Sequence, residues 1–217
     1  IEIEGREQFK SFNYKVPGDI SSASFFIVLT LLSKKSELLI KDININLSRL
    51  GILKILNRMN ANIRIVNQRK YKGEMLGDLK IKSSESFKPI NCPSNLNSSA
   101  IDEFLLIFLI AAKSNGISRF KNLDELNKKE SPRLNIAVNF LRQIGIKVIK
   151  KKHDIKIFGN PNLKLKKKIT IKNYLKDHRI FMTSVIAALS FGGEWKIFDK
   201  DSIKTSFPDF LNIIKKL

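Results

Sequence analysis

The sequence has one cysteine, Cys92, two histidines, His153 and His178, and one tryptophan. A lone cysteine excludes a disulfide framework and a cysteine-built metal centre. The histidines are far apart in sequence, so no metal-ligand spacing is present and no metal is expected. Long apolar runs are also missing. They reach about a dozen residues, short of the roughly 20 that a bilayer span needs. Acidic residues are scarce as well. Twenty Asp+Glu face 40 Lys+Arg among 217 residues, a net charge of +20. Such a field attracts anions, whether nucleic acid, lipid or phosphorylated metabolites. A blander source is the crowding of Lys, Ile and Asn, which an AT-rich coding sequence produces. No helix-turn-helix, zinc finger or aromatic-basic strand supports a nucleic-acid module, so that reading rests on charge alone.

Three stretches stand out against this background. Ile20–Ser33, Phe104–Ala112 and Ile180–Phe191 are apolar nearly all round. A helix with no wet face lies inside a fold. Each follows a polar head carrying an aspartate: Asp19, Asp102 and Asp177. These heads stand roughly 75–85 residues apart, the mark of repeated supersecondary units around one core. In the second head Ser98 or Ser99 can cap the helix, with Asp102 and Glu103 in its first turn.

Strands are expected at Ile1–Glu4 and Phe12–Val16 around Gly5, then at Glu37–Lys41, Ala61–Val66, Leu79–Lys82, Ile117–Lys121, Lys147–Lys150, Asp154–Phe158 and Trp195–Asp199. Amphipathic helices fall at Leu50–Met59 and Leu134–Ile144, the latter ended by Gly145, and a last helix starts at Pro208. The unit is polar head, buried helix, strand, amphipathic helix and strand pair, and the third copy is cut short. If the buried helices run parallel, three positive helix ends meet on one face and favour an anion.

Asp102, the run Lys129-Glu130-Ser131-Pro132-Arg133 and the run Asp177-His178-Arg179 would share that face. Taken singly, they read as a cap, a solvated helix start and a local ion pair. Together they offer carboxylates for proton transfer beside guanidinium and ammonium groups for a multiply anionic small molecule.

These residues carry a resemblance. Pro17–Phe26 (PGDISSASFF), Ala100–Glu103 (AIDE), Leu126–Leu134 (LNKKESPRL), Asp177–Met182 (DHRIFM) and Thr205–Leu211 (TSFPDFL) resemble, in order and spacing, segments of the EPSP synthase (3-phosphoshikimate 1-carboxyvinyltransferase) family. Lys129-Glu130-Ser131 with Asp177-His178-Arg179 favours the shikimate enzyme over the sister transferase that acts on a UDP-sugar. The resemblance implies an α/β fold of repeated βαβαββ units, with buried parallel helices inside outer mixed sheets. It implies that residues 1–16 end a first domain and that residues 17–217 form the second. The family's N-terminal lysine, serine–glutamine motif and a further arginine have no counterpart here, so the chain is expected to be a C-terminal portion, inactive alone and monomeric when complete. An inactive decayed fragment is the remaining alternative.

The implied activity is transfer of the enolpyruvyl group of phosphoenolpyruvate to the 5-hydroxyl of shikimate 3-phosphate, with release of phosphate, in the cytoplasm, with no cofactor, no nucleic acid and no membrane partner. The missing N-terminal domain is the implied protein partner. By position, Asp102 corresponds to the proton acceptor at the 5-hydroxyl and Glu130 to the acid at the phosphoenolpyruvate methylene. Lys129 corresponds to a shikimate-phosphate contact, Arg133 and Arg179 to the arginines on phosphoenolpyruvate, and His178 to a supporting histidine. Three positions depart from the family pattern. Pro132 replaces an aspartate, Thr205 stands where some members have a lysine, and Phe181 replaces a smaller alanine.

Overall fold

The computed structural model describes Glu2, Glu4, Gly5 and residues 10–217. The expected strand at Ile1–Glu4 rests on Ile1 and Ile3, which lie outside the described residues. The elements are α1 (Ile20–Leu32), β1 (Glu37–Asn44), α2 (Gly51–Arg58), β2 (Ile63–Tyr71), β3 (Glu74–Lys82), α3 (Phe104–Lys113), β4 (Ile117–Phe120), α4 (Arg133–Gln143), β5 (Lys147–Lys151), β6 (Asp154–Phe158), β7 (Leu165–Ile171), α5 (His178–Phe191), β8 (Gly192–Ile197) and α6 (Phe210–Ile214).

The centre is α1, α3 and α5. Every residue from Phe104 to Ala112 is buried, and each fully buried Leu, Ile or Phe contributes about 1.5–3 kcal/mol. Three polar residues of this core close on their own helices. Ser24 Oγ donates to Ile20 O at 2.7 Å, Thr30 Oγ1 to Phe26 O at 2.8 Å and Ser184 Oγ to Ile180 O at 2.8 Å. These bonds satisfy the hydroxyls without a partner from another element. Aspartates start two of the three helices. Asp19 Oδ2 accepts from Ser22 N at 2.8 Å, and Asp177 Oδ1 from Arg179 N at 2.9 Å.

The three helices run parallel. At one end, Ser21 of α1 hydrogen-bonds Glu103 just before α3, and Arg179 of α5 donates to Asp102 O at 3.0 Å. At the other end, Ser33 lies in one groove with Leu189 and in another with Lys113. The positive ends therefore share one face, the outcome expected of parallel helices.

Sheets lie outside the helices and follow the units. The first sheet has the order β1-β3-β2 and the second β4-β6-β5, both antiparallel. A parallel bridge joins Gly18 to Ile43 in the first unit and Asn91 to Arg119 in the second. In the third unit the parallel bridge is replaced by a full strand, with β7 pairing parallel to β8. The amphipathic helices cover the core from outside. Leu134, Ala137, Val138 and Leu141 of α4 are buried at helical spacing, and Gly145 follows with φ +87°, a conformation that favours glycine.

Four local expectations change. Phe12–Val16 forms no strand; it lies beside β2 through Tyr14 stacked on Tyr71 and Lys15 N donating to Tyr71 Oη at 3.1 Å. β7 is an unexpected strand, its period hidden by four lysines in Lys164–Lys168. β8 begins at Gly192, not at Trp195. The second head is not a helix start: Ser98–Ala100 is a 3₁₀ turn and α3 begins only at Phe104. Ser99 Oγ donates backwards to Leu96 O at 3.0 Å, and Asn97 Nδ2 is drawn to Lys121 O at 2.8 Å. α3 starts without a side-chain cap.

Candidate active site

The face where the helix N-termini meet carries a compact charged cluster. Asp102 sits in the turn before α3, so its carboxylate is free of capping duty. Lys129 Nζ lies 3.3 Å and Arg133 Nη1 3.4 Å from its Oδ1. Arg49 Nη2 and Arg179 Nη2 each stand 3.9 Å from its Oδ2, ion pairs too long to be hydrogen bonds. Burial would raise the Asp102 carboxyl, but Arg179, Lys129 and Arg133 outweigh it and hold it below the usual aspartate range.

Arg133 opens α4 and joins three carboxylates. Its Nε donates to Asp177 Oδ2 at 2.8 Å, its Nη1 faces Asp102, and its Nη2 pairs with Glu130. Ser131 Oγ adds a bond to Asp177 Oδ2 at 2.8 Å. The Arg133 side chain is 1% exposed, and a carboxylate engages each of its three nitrogens. Pro132 fits this arrangement. It immediately precedes the first helical residue, where a missing N–H costs little, and its carbonyl accepts from Ile136 N at 3.1 Å.

Glu130 is more than half exposed at the rim. Arg179 lies in the first turn of α5, mostly buried, and its Nη1 is fixed on Asp102 O. His178 precedes it. Burial, then Arg179, push the imidazole below its ordinary range, so it is neutral at pH 7. Phe181 points into the core, 3% exposed, and Lys204 pairs outward with Asp201 at 2.9 Å.

All six residues expected at the site, Asp102, Lys129, Glu130, Arg133, His178 and Arg179, thus fall in one region. Five of them pair directly: Lys129, Arg133 and Arg179 with Asp102, and Glu130 with Arg133. His178 adjoins Arg179 in sequence, and the charge of Glu130 acts on it. Sequence reasoning missed Arg49, Ser21, Glu103 and the clamping role of Asp177. Arg49 had a signal: it precedes the first amphipathic helix as Arg133 opens the second, so the repeat brings both to one face. Among the described residues, no three His, Cys, Asp or Glu side chains group as a metal site would, and no helix is long and apolar enough to cross a membrane.

A family model described as EPSP synthase (3-phosphoshikimate 1-carboxyvinyltransferase) matches residues 1–214. The chain belongs to the EPSP synthase family. A 3-phosphoshikimate 1-carboxyvinyltransferase of Petrotoga mobilis is 38% identical over 215 residues, 99% of this chain and 48% of the relative. Its counterpart in Ruthia magnifica is 38% identical over 217 residues, covering 100% and 49%. The solved EPSP synthase of Acinetobacter baumannii superposes with a TM-score of 0.85 at 31% identity, over 93% of this chain and 46% of that one. The enolpyruvyl transferase NikO of Streptomyces tendae shares the fold, with a TM-score of 0.66 at 15% identity. The chain spans about half the length of the curated relatives it matches.

Proposed function

We propose that this EPSP synthase family chain supplies one wall of a cytoplasmic active site. That site transfers the enolpyruvyl group of phosphoenolpyruvate to the 5-hydroxyl of shikimate 3-phosphate and releases phosphate. An N-terminal domain supplies the other wall. The observation that carries the reading is the Asp102 carboxylate, which has one oxygen anchored by Lys129 and Arg133 and the other without a hydrogen bond among the described residues.

The chemistry follows from that asymmetry. Asp102 Oδ2 accepts the substrate hydroxyl's hydrogen bond and orients its oxygen toward C2 of phosphoenolpyruvate. As the C–O bond forms, C3 takes a proton from Glu130 and becomes a methyl group. The hydroxyl's own proton passes to Asp102. In the second step the bond to phosphate breaks, C3 returns its proton to Glu130, and Asp102 gives its proton to the departing phosphate. Arg179 and Lys129 receive the reactants' anionic groups. Their field is then shared, its hold on Asp102 weakens, and the carboxylate becomes a better base as the hydroxyl adds. Arg133 fixes Asp102 relative to Glu130 from behind. Neutral His178 beside Arg179 offers a hydrogen bond without added charge.

The test uses a complete two-domain protein, this chain joined to the N-terminal half of the Petrotoga mobilis relative. Phosphate release is followed with each reactant alone and with both. Release only with both is expected. Release from phosphoenolpyruvate alone, or none from the pair, contradicts the reading.

A further inference from the structure

The roles above leave Arg49, Ser21 and Glu103 unused. Glu103 follows Asp102, yet its carboxyl is buried and accepts a hydrogen bond from Ser21 Oγ, in the first turn of α1. Ser21 Oγ in turn accepts from Arg49 Nη2 at 3.0 Å. That same Nη2 stands 3.9 Å from Asp102 Oδ2, the oxygen left for the hydroxyl.

A second feature brings Arg49 there. Gly51, the first residue of α2, packs directly on the turn that leads to Asp102, and a Cβ on it would lie 2.5 Å from the Ser99 carbonyl carbon. The loop carrying Arg49 and the turn carrying Asp102 are therefore seated backbone against side-chain-free backbone. The Arg49 side chain is 49% exposed. An arginine so exposed ordinarily wanders. This one is fixed by a hydrogen-bond chain that ends in a buried carboxyl, the way an outer partner orients a working group.

We propose that Arg49 is a positioning residue for Asp102, held by Ser21 and Glu103, and that it keeps Oδ2 aimed at the substrate hydroxyl. The inference rests on Asp102 as the hydroxyl's acceptor.

The test is Arg49→Ala, Arg49→Lys and Ser21→Ala in the complete two-domain protein. Arg49→Ala should lower kcat about tenfold, with both KM values within about twofold and the unfolding midpoint unchanged. Arg49→Lys, which keeps a donor and the charge, should recover most of the loss, and Ser21→Ala should fall between. An unchanged kcat, a rise in KM alone, or no recovery by lysine overturns the proposal. If the parent protein transfers no enolpyruvyl group, the functional reading fails separately. The proposal is then decided by the ¹³C resonance of the Asp102 side-chain carboxyl. A resonance that moves in Arg49→Ala supports positioning, and one that titrates as in the parent overturns it.

Discussion

Asp177 and Asp102 stand at the heads of neighbouring buried helices and share Arg133 between them. The Asp177 side chain is 0% exposed, and both its oxygens are consumed by the fold: Oδ2 by Ser131 and Arg133 Nε, Oδ1 by Arg179 N and Arg133 Nη2. The Asp102 side chain is 19% exposed, and among the described residues its Oδ2 has only the two arginines at 3.9 Å. Asp19, the third head, caps α1. One residue type at one repeat position thus does three jobs. The difference teaches where to look for chemistry: a carboxylate that caps a helix and clamps an arginine is scaffold, whereas one displaced from the cap and facing cations is open to a ligand.

The harshest way to break the contrast is Asp177→Ala. It removes the cap of α5 and leaves Arg133 buried without its main partner. Unfolding in urea should show a loss of about 3–5 kcal/mol, and an unaltered midpoint would mean that Asp177 is no scaffold.

A milder break is Gly51→Ala. The new methyl must push the Ser99 backbone away, at a cost of about 1–3 kcal/mol, and the turn bearing Asp102 should move with it. Full stability with wild-type turnover would show that the close approach does not matter.

The subtlest effect lies in pH. Asp102 and Asp177 are both held below the ordinary aspartate value of 3.8. Their pairing therefore stabilises the fold fully above that pH, where unfolded aspartates are ionised, and is lost as pH falls through the lower folded values. Glu103 has the opposite sign. Burial pushes it above 4.5, against the pull of Ser21 and Arg179, so its ionisation costs stability as pH rises past that value. Glu103→Gln is neutral and keeps an oxygen for Ser21. It should gain on the parent in urea unfolding at pH 7 and lose that advantage below pH 4.5. An equal difference at both pH values would contradict the sign.

Much of this was legible in the sequence, for reasons that explain what was not. The three central helices announce themselves because a helix apolar on every face has nowhere else to go. Their equal spacing then brings Asp102, Lys129, Glu130, Arg133, His178 and Arg179 together. The turn at Ser98–Asp102 reads as a helix start because serine and aspartate favour caps. Tertiary partners decide instead: Asn97 turns to Lys121 and Asp102 to the cations. The partners of Arg133 stay hidden because sequence shows its charge and not the three carboxylates gathered around it. β7 stays hidden because a lysine-rich strand, mostly wet on its first half, has no apolar alternation to display.

The most direct test of the account is Asp102→Asn in the complete two-domain protein, with turnover and urea unfolding measured on the same sample. Asparagine keeps the shape and removes the base. The account predicts a fall in kcat of about 10²–10⁴-fold, with stability within about 1 kcal/mol of the parent. Wild-type turnover, or a loss of turnover that only tracks unfolding, would contradict it.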